Sequence, residues 1–307
     1  MNLNDDRQFF ERVIILSDSI HASDNDSGQQ PGTLLFSVDL EDVRLMVPNG
    51  QDYREAVPAM TSQYLEFLDR HDSKATFFIV GKVALQYPGL IQEIKNRGHE
   101  IACHSHNHIP LDKMGADGFR RDLEENLEAL VRAGASQPLG YRAPTFSMTA
   151  DTQWAYPILG ECGIIYSSSV LPAANPLYGW PGFGAASREI SGITELPVTL
   201  SGSPFLNVPF AGGIYLRVIP FTVTQRWFKQ CLKKNVPVVT YLHPYDIDAN
   251  QERFMHPGLN GNRIYNRLMY VNRRTVLEKI DRVLELGYEI QPSAEYVSSL
   301  NAARVTP

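Results

Sequence analysis

The chain has 307 residues, 43% hydrophobic and 20% charged, the composition of an ordinary soluble globular protein with one generous core or two small ones. A net charge of -6 without any Lys/Arg cluster excludes a general nucleic-acid binder. Cys103, Cys162 and Cys231 are widely spaced and fit free thiols in a reducing compartment. Met1 to Gln8 is polar and acidic, unlike a signal peptide, and no apolar run approaches the ~20 residues that cross a bilayer, so a cytoplasmic protein is expected.

Residues 4–16 read as a short helix with Phe9, Phe10, Val13, Ile14 and Leu16 on its apolar side, and 17–32 as a polar flexible linker. Residues 1–32 are therefore an expected N-terminal extension, and 33–300 a single domain. A buried strand is expected over 34–39, a helix over 57–70, a strand over 75–81, a helix over 87–97 and a strand over 99–103. The spacing of Phe119, Leu123, Leu127 and Leu130 predicts an amphipathic helix over 118–133, with acids and arginines opposite. Then follow a short strand at 139–142, a helix over 149–162 capped by Thr149, and a strand at 164–166. Residues 167–192, rich in Pro, Gly, Ala and Ser, predict a long irregular loop; its Tyr178, Trp180 and Phe183 serve either stacking on sugar rings or plain packing. Strand character returns at 194–198, with a helix at 222–234, a buried strand at 237–242, a helix at 274–286 and a last strand at 288–290.

Repeated strand–helix units with wholly apolar strands predict an α/β fold, a barrel or a doubly wound sheet. Polar residues recur where strands end: Asp39, His104, Arg142 and His243. Four separate strand ends favour a (β/α) barrel, whose active-site face gathers such ends, over a sheet with one switch point.

His104-Ser105-His106-Asn107-His108 is the densest chemical signal. A helical turn would put His104 and His108 on one side, a common arrangement for holding zinc. Asp39, Glu41 and Asp42 follow the first strand, and two imidazoles plus one of these carboxylates would make a three-ligand catalytic set with an open position. A second carboxylate would then act as general base. Arg142 could fix a carboxylate, and His243 could protonate a leaving amine. His106 is read as a supporting or solvent-facing residue, and Cys103 as a small buried side chain that could respond to oxidants.

In order and spacing these motifs resemble the NodB-like polysaccharide deacetylases. The acidic motif is similar to residues 37–42 in an extended D-x-E-D form, H-[ST]-x-x-H to 104–108, R-x-P-x-[FY] to Arg142, Pro144 and Phe146, and the Leu-His motif to Leu242 and His243. Flanking segments at 74–81, 98–102, 212–217 and 241–248 resemble the branch associated with bacterial exopolysaccharide and surface-glycan gene clusters.

The resemblance implies a distorted (β/α) barrel and metal-dependent hydrolysis of the N-acetyl group of an amino sugar. His104 and His108 would be ligands of a divalent metal, zinc by the donor types. The third ligand is Asp42 by residue type or Glu41 by strand alternation, with a slight lean to Asp42. Asp39 would be the base, oriented by Arg142, and His243 the acid. Leu242, Pro144 and Phe146 would contact substrate, Leu242 helping to form the acetyl-methyl pocket, and a backbone N–H near Arg142-Pro144 would steady the oxyanion. The implied substrate is a saccharide of a surface polysaccharide (O-antigen or exopolysaccharide) or its cytoplasmic precursor, a nucleotide sugar or lipid-linked glycan reached by peripheral contact with the inner membrane. One departure stands out. The family's fourth motif carries an aspartate that tunes the acid histidine, whereas this chain has Ser167, so Asp246 or Asp248 would have to substitute. Two other readings are a glycan-binding partner that kept the fold without turnover, and an amidohydrolase acting on a small cyclic amide.

Overall fold

The computed structural model describes residues 30–175, 178–203, 207–256, 259 and 261–305; the helix expected over 4–16 and most of the linker lie outside the described residues. The run expected as one strand is two, β1 (Gly32–Leu35) and β2 (Ser37–Leu40), interrupted at Phe36, whose amide turns back to the Leu34 carbonyl at 2.9 Å. There follow β3 (Thr76–Ile79), β4 (Glu100–Cys103), β5 (Gly140–Tyr141), β6 (Tyr166–Ser167), β7 (Arg188–Ile190), β8 (Ile193–Glu195), β9 (Val238–Val239) and β10 (Tyr288–Ile290). One sheet has the order β2-β3-β4-β5-β6-β8-β7 and a second β10-β1-β9, joined where Val38 bridges Leu242 in parallel. Among the described residues every ladder is parallel except the hairpin β7–β8, whose first strand falls inside the loop expected at 167–192 and whose second begins the strand expected at 194–198.

The helices are α1 (Val57–Arg70), α2 (Gly81–Gln86), α3 (Pro88–Asn96), α4 (Gly115–Arg132), α5 (Ala155–Glu161), α6 (Gly213–Val218), α7 (Phe221–Lys233), α8 (Pro244–Ile247), α9 (Arg263–Leu268), α10 (Val276–Leu284) and α11 (Ser293–Val305). Helix α1 falls where its apolar period put it, Pro at its first turn and Met60, Tyr64, Phe67 and Leu68 buried. Thr149 caps a 3-10 turn (Ala150–Thr152) in advance of α5, so the helix expected over 149–162 is broken in two. Helices α2, α6, α8, α9 and α11 have no counterpart in the pattern reading.

Side-chain alternation shows that the sheet curls into a barrel. Leu35, Phe78, Ala102, Tyr166, Leu196 and Val239, from opposite walls, pack on one another in a buried cluster. Their strand neighbours, among them Val38, Phe77 and Ile79, point outwards into the larger core under the helices. Helix α11 plugs one end: the amides of Ser293 and Ala294 donate to Thr76 Oγ1 (2.9 Å) and Glu100 Oε2 (3.0 Å), and Val297 reaches the inner cluster. That is the end where strands begin; the other, where they end, stays available for chemistry. The barrel is distorted. Among the described residues no backbone ladder joins β8 to β9; instead the Thr199 hydroxyl accepts from the Val239 amide at 2.9 Å. No described helix is long and apolar enough to cross a membrane.

Candidate active site

Asp39 lies inside β2, His104 directly after β4, Arg142 directly after β5, and His243 one residue past Leu242, which bridges β2. The parallel register therefore delivers all four to the open end of the barrel. His104 donates Nδ1–H to the Arg142 carbonyl (2.8 Å), which fixes the ring and turns the Nε2 lone pair inwards. There Nε2 of His104 and of His108 lie 3.0 and 2.8 Å from the same oxygen, Oε1 of Glu41.

Helical spacing is not what brings the two imidazoles together. Residues 104–108 form a loop in which Ser105 (φ 64°) and His108 (φ 57°) are left-handed. Thr145 (φ 56°) and Phe146 (φ 55°), beside Arg142, are left-handed too. Other non-glycine residues in this region are Asn or Asp, which tolerate it, and Ser191. Backbone strain is thus gathered in the two loops that carry the site residues.

Of the two acids offered as third ligand, the structure brings Glu41 to the imidazoles and turns Asp42 away. Asp42 caps the 3-10 turn Val43–Leu45, accepting from the Arg44 amide at 2.9 Å, and its other oxygen faces Tyr87. Residue type misled here because an aspartate before a short turn is also a good cap. Glu41, His104 and His108 present one donor atom each within 4.8 Å of one another, as do Asp39, Glu41 and His243. His108 Nε2 is a buried atom that lies 2.8 Å from Glu41 Oε1 without hydrogen-bond geometry, a placement that a metal ion shared by the two explains. A tetrahedral zinc with bonds of about 2.0–2.1 Å would set its ligands about 3.3 Å apart, so the set fits with an opening of a few tenths of an ångström.

Burial alone would raise the Glu41 carboxyl; the imidazoles of His108, His243 and His104 outweigh it and hold the group well below the usual carboxylate range. Burial likewise opposes charge on His108, which the Glu41 carboxylate lifts above the ordinary imidazole value.

Arg142 is buried and fully engaged. It donates to Asp39 Oδ1 (2.5 Å), Ser37 Oγ (2.8 Å), and the carbonyl and hydroxyl of Ser168 (3.0 Å each), and its guanidinium lies 4.0 Å from the Phe78 ring centroid. One oxygen of Asp39 is thereby fixed. The other, Oδ2, sits 4.0 Å from His104 Nε2 and 3.9 Å from His243 Nε2, facing the open end.

His243 is oriented by Asp246, three residues on, which accepts from ring Nδ1 at 2.7 Å and from the His243 amide at 2.9 Å as α8 begins. Asp246 is buried and ion-paired with buried Arg217 (3.0 Å). Burial raises Asp246, but Arg217 and His243 hold its carboxyl low. Burial lowers His243; Glu41, Asp246 and Asp39 outweigh it and bring the imidazole up to about 9. Asp248 goes elsewhere, to Arg54 at 2.5 Å. Ser167 lies behind the site, donating to Ser169 Oγ (2.7 Å) beside Glu195, which takes the amides of Ser169 and Val170.

Leu242 and Pro144 are buried, and half-buried Phe146 meets Tyr241 edge-on at 4.9 Å. In the long loop Phe183 is buried against Trp180, while the Tyr178 hydroxyl donates to Asp112 at 2.8 Å. The Cys103 thiol is fully buried and pushed well up by burial, the opposite of a reactive thiolate. His106 stands outside both donor groups, its Nδ1 buried against Gly81, where a Cβ would come within 2.3 Å.

Pattern reading placed Asp122 of α4 with the acids of the solvated face and passed over Asn126. Both are buried beneath the histidine loop. Their spacing from Phe119, Leu123 and Leu127 places them within the apolar stripe, a signal that could have found them.

Residues 43–160 match the family model described as polysaccharide deacetylase, and 168–290 match a domain of unknown function (DUF3473). The Asp39–Asp42 segment falls just before the first span, and the His243–Asp246 turn within the second. The chain is 34% identical over 84 residues to a peptidoglycan-N-acetylglucosamine deacetylase of Bacillus cereus, covering 27% of this chain and 30% of that protein. It is 33% identical over 76 residues to a chitooligosaccharide deacetylase of Rhizobium leguminosarum bv. trifolii, covering 25% and 35%. The chain thus spans about a third of the length of these curated relatives. In fold it is similar to the crystal structure of a Mycobacterium smegmatis protein described as a polysaccharide deacetylase (TM-score 0.60, 19% identity, 94% and 96% of the two chains). It is also similar to that of Puue allantoinase (TM-score 0.57, 13% identity, 90% and 96%).

Proposed function

We propose that the chain, whose residues 43–160 match the polysaccharide deacetylase family model and whose residues 168–290 match DUF3473, is a metal-dependent hydrolase of the N-acetyl group of an amino sugar. The observation that carries the proposal is the convergence, at one end of the barrel, of Glu41, His104 and His108 with Asp39 and His243. A divalent ion of the zinc type, held by those first three residues, would supply Lewis acidity for the amide carbonyl and for water.

The chain's own residues account for the proton movements. Asp39, with Oδ1 fixed by Arg142, keeps Oδ2 free to take a proton from the attacking water. Holding the carboxylate in one orientation spares reorganisation during the reaction. His243, protonated and held by Asp246, presents Nε2 towards the same space and delivers a proton to the departing amine. Asp246 thus takes the role that Ser167 cannot, which favours turnover over a silent glycan-binding protein. Buried Leu242 forms the apolar floor for the acetyl methyl, with Pro144 and Phe146 beside it.

For the substrate we favour a surface polysaccharide such as O-antigen or exopolysaccharide, or its nucleotide-sugar or lipid-linked precursor in the cytoplasm. This rests on the branch resemblance and on three unpaired cysteines suited to a reducing compartment. The test is release of acetate and free amine from N-acetylated saccharides by the zinc-loaded protein. No release from polymer, oligosaccharide or nucleotide sugar by protein with metal bound would sink the hydrolase reading.

A further inference from the structure

We propose that Asp122 and Asn126, one turn apart on α4, are positioning residues that hold the strained histidine loop in its metal-gripping shape; the inference rests on the metal reading of the site. Asp122 is buried and spends its carboxylate on two successive loop amides, accepting from His106 N–H at 2.8 Å (Oδ2) and Asn107 N–H at 3.0 Å (Oδ1). The Asn107 side chain adds a third bond at 3.0 Å. Fully buried Asn126 donates Nδ2–H to the Ser105 carbonyl (2.8 Å) and to the Ile79 carbonyl at the end of β3 (3.1 Å). The loop is therefore tied at Ser105, His106 and Asn107, the three residues between the imidazoles.

Those ties are needed because the loop is in a conformation that side chains with a Cβ disfavour, left-handed at both Ser105 and His108. Without the carboxylate beneath them, consecutive amides at 106 and 107 would seek water, and the chain could relax to ordinary dihedrals. Relaxation would rotate His108 away from Glu41, while His104, anchored by the Arg142 carbonyl, would stay. Helix α2 supports the loop from a second side: the amides of Gly81 and Lys82 donate to the carbonyls of Ser105 (3.0 Å) and His106 (3.2 Å). The amphipathic helix α4 is thus more than a wall of the barrel. Its buried polar pair transmits the rigidity of the core to one metal ligand.

The test is zinc affinity of the full chain, stripped by chelator and titrated in competition with a chromophoric chelator, with cobalt absorption as a geometric signature. Asp122→Asn, which sets an amide N–H against one of the loop amides, should weaken zinc binding by about 10- to 100-fold. It should also alter the cobalt spectrum while the metal-free protein keeps its far-UV circular dichroism. Adding Ser105→Gly, which is at ease at positive φ, should recover part of the loss. Asn107→Ala, at a half-buried loop position, should weaken binding by about 2- to 10-fold, and it decides the matter if Asp122→Asn does not fold. Unchanged affinity in the variants, or a loss that Ser105→Gly leaves in full, overturns the inference alone. A wild-type chain that takes up no metal overturns the reading of the site, and this inference with it.

Discussion

Asp246 accepts both the ring Nδ1–H and the backbone N–H of His243, at 2.7 and 2.9 Å, so one carboxylate sets the tautomer and the direction of the imidazole. Removing it should harm proton transfer and leave metal binding intact. Asp246→Ala is expected to lower kcat by about 100-fold or more, the usual scale of general acid catalysis, with unchanged zinc stoichiometry. Steady-state deacetylation beside elemental analysis checks this; a variant of normal kcat would show that His243 needs no such partner.

Arg217 is the other half of that arrangement, buried and 3.0 Å from Asp246. Arg217→Met leaves the buried Asp246 carboxylate with His243 as its remaining close partner, which should destabilise the fold by about 1–3 kcal/mol. Urea unfolding measures it.

Glu41 and Asp42 are neighbours with different work to do. Glu41→Gln should lose most bound metal, because it removes the charged donor shared by His104 and His108. Asp42→Ala should keep the metal and lose about 1 kcal/mol of stability through the missing cap. Equal metal loss in both variants would show that the grouping around Glu41 is wrong.

Asp39→Asn is expected to reduce turnover by about 100-fold or more with metal content nearly unchanged. Arg142→Lys should do likewise to a smaller degree, since an ammonium cannot reach Asp39, Ser37 and Ser168 together as the guanidinium does. Parallel activity and metal measurements decide it.

His99 governs a pH effect on stability away from the site. It is nearly buried, and that burial, aided by the Lys74 charge, brings its imidazole down to about 4 from an ordinary 6.5. Between those values the unfolded chain carries a proton that the folded chain refuses. Stability should therefore be level above 6.5 in this respect and fall as the pH drops towards 4, by up to about 1.4 kcal/mol per pH unit. His99→Gln should reduce the slope in urea titrations at pH 7, 5.5 and 4.5, the remainder belonging to His256, which burial likewise brings down to about 4.

Residue order exposed what depends on period and position. Apolar spacing located α1, α4 and the parallel strands, and polar residues at strand ends marked Asp39, His104, Arg142 and His243. What stayed hidden depends on backbone conformation. Choosing between Glu41 and Asp42 requires the path of the chain past Leu40, where a capping turn draws one acid aside. The pairing of His104 with His108 comes from two left-handed residues, for which their identities, Ser and His, give no notice. Asp246 could have been read from His-x-x-Asp at a helix start, a capping spacing that ordinarily carries no chemistry.

The Thr199 hydroxyl, standing in for a ladder between two walls, leaves the Val239 amide with a side-chain acceptor on a short strand. Three residues beyond that strand comes Leu242, whose carbonyl and amide bond the Asp39 amide (2.7 Å) and the Ser37 carbonyl (3.1 Å) of β2, and then His243. His243 therefore stands on the same wall as Glu41, His104 and His108, whose strands β2, β3 and β4 form one continuous ladder. A loosened seam at Thr199 leaves that wall whole, so the donor atoms keep their spacing even where the barrel is least tightly closed.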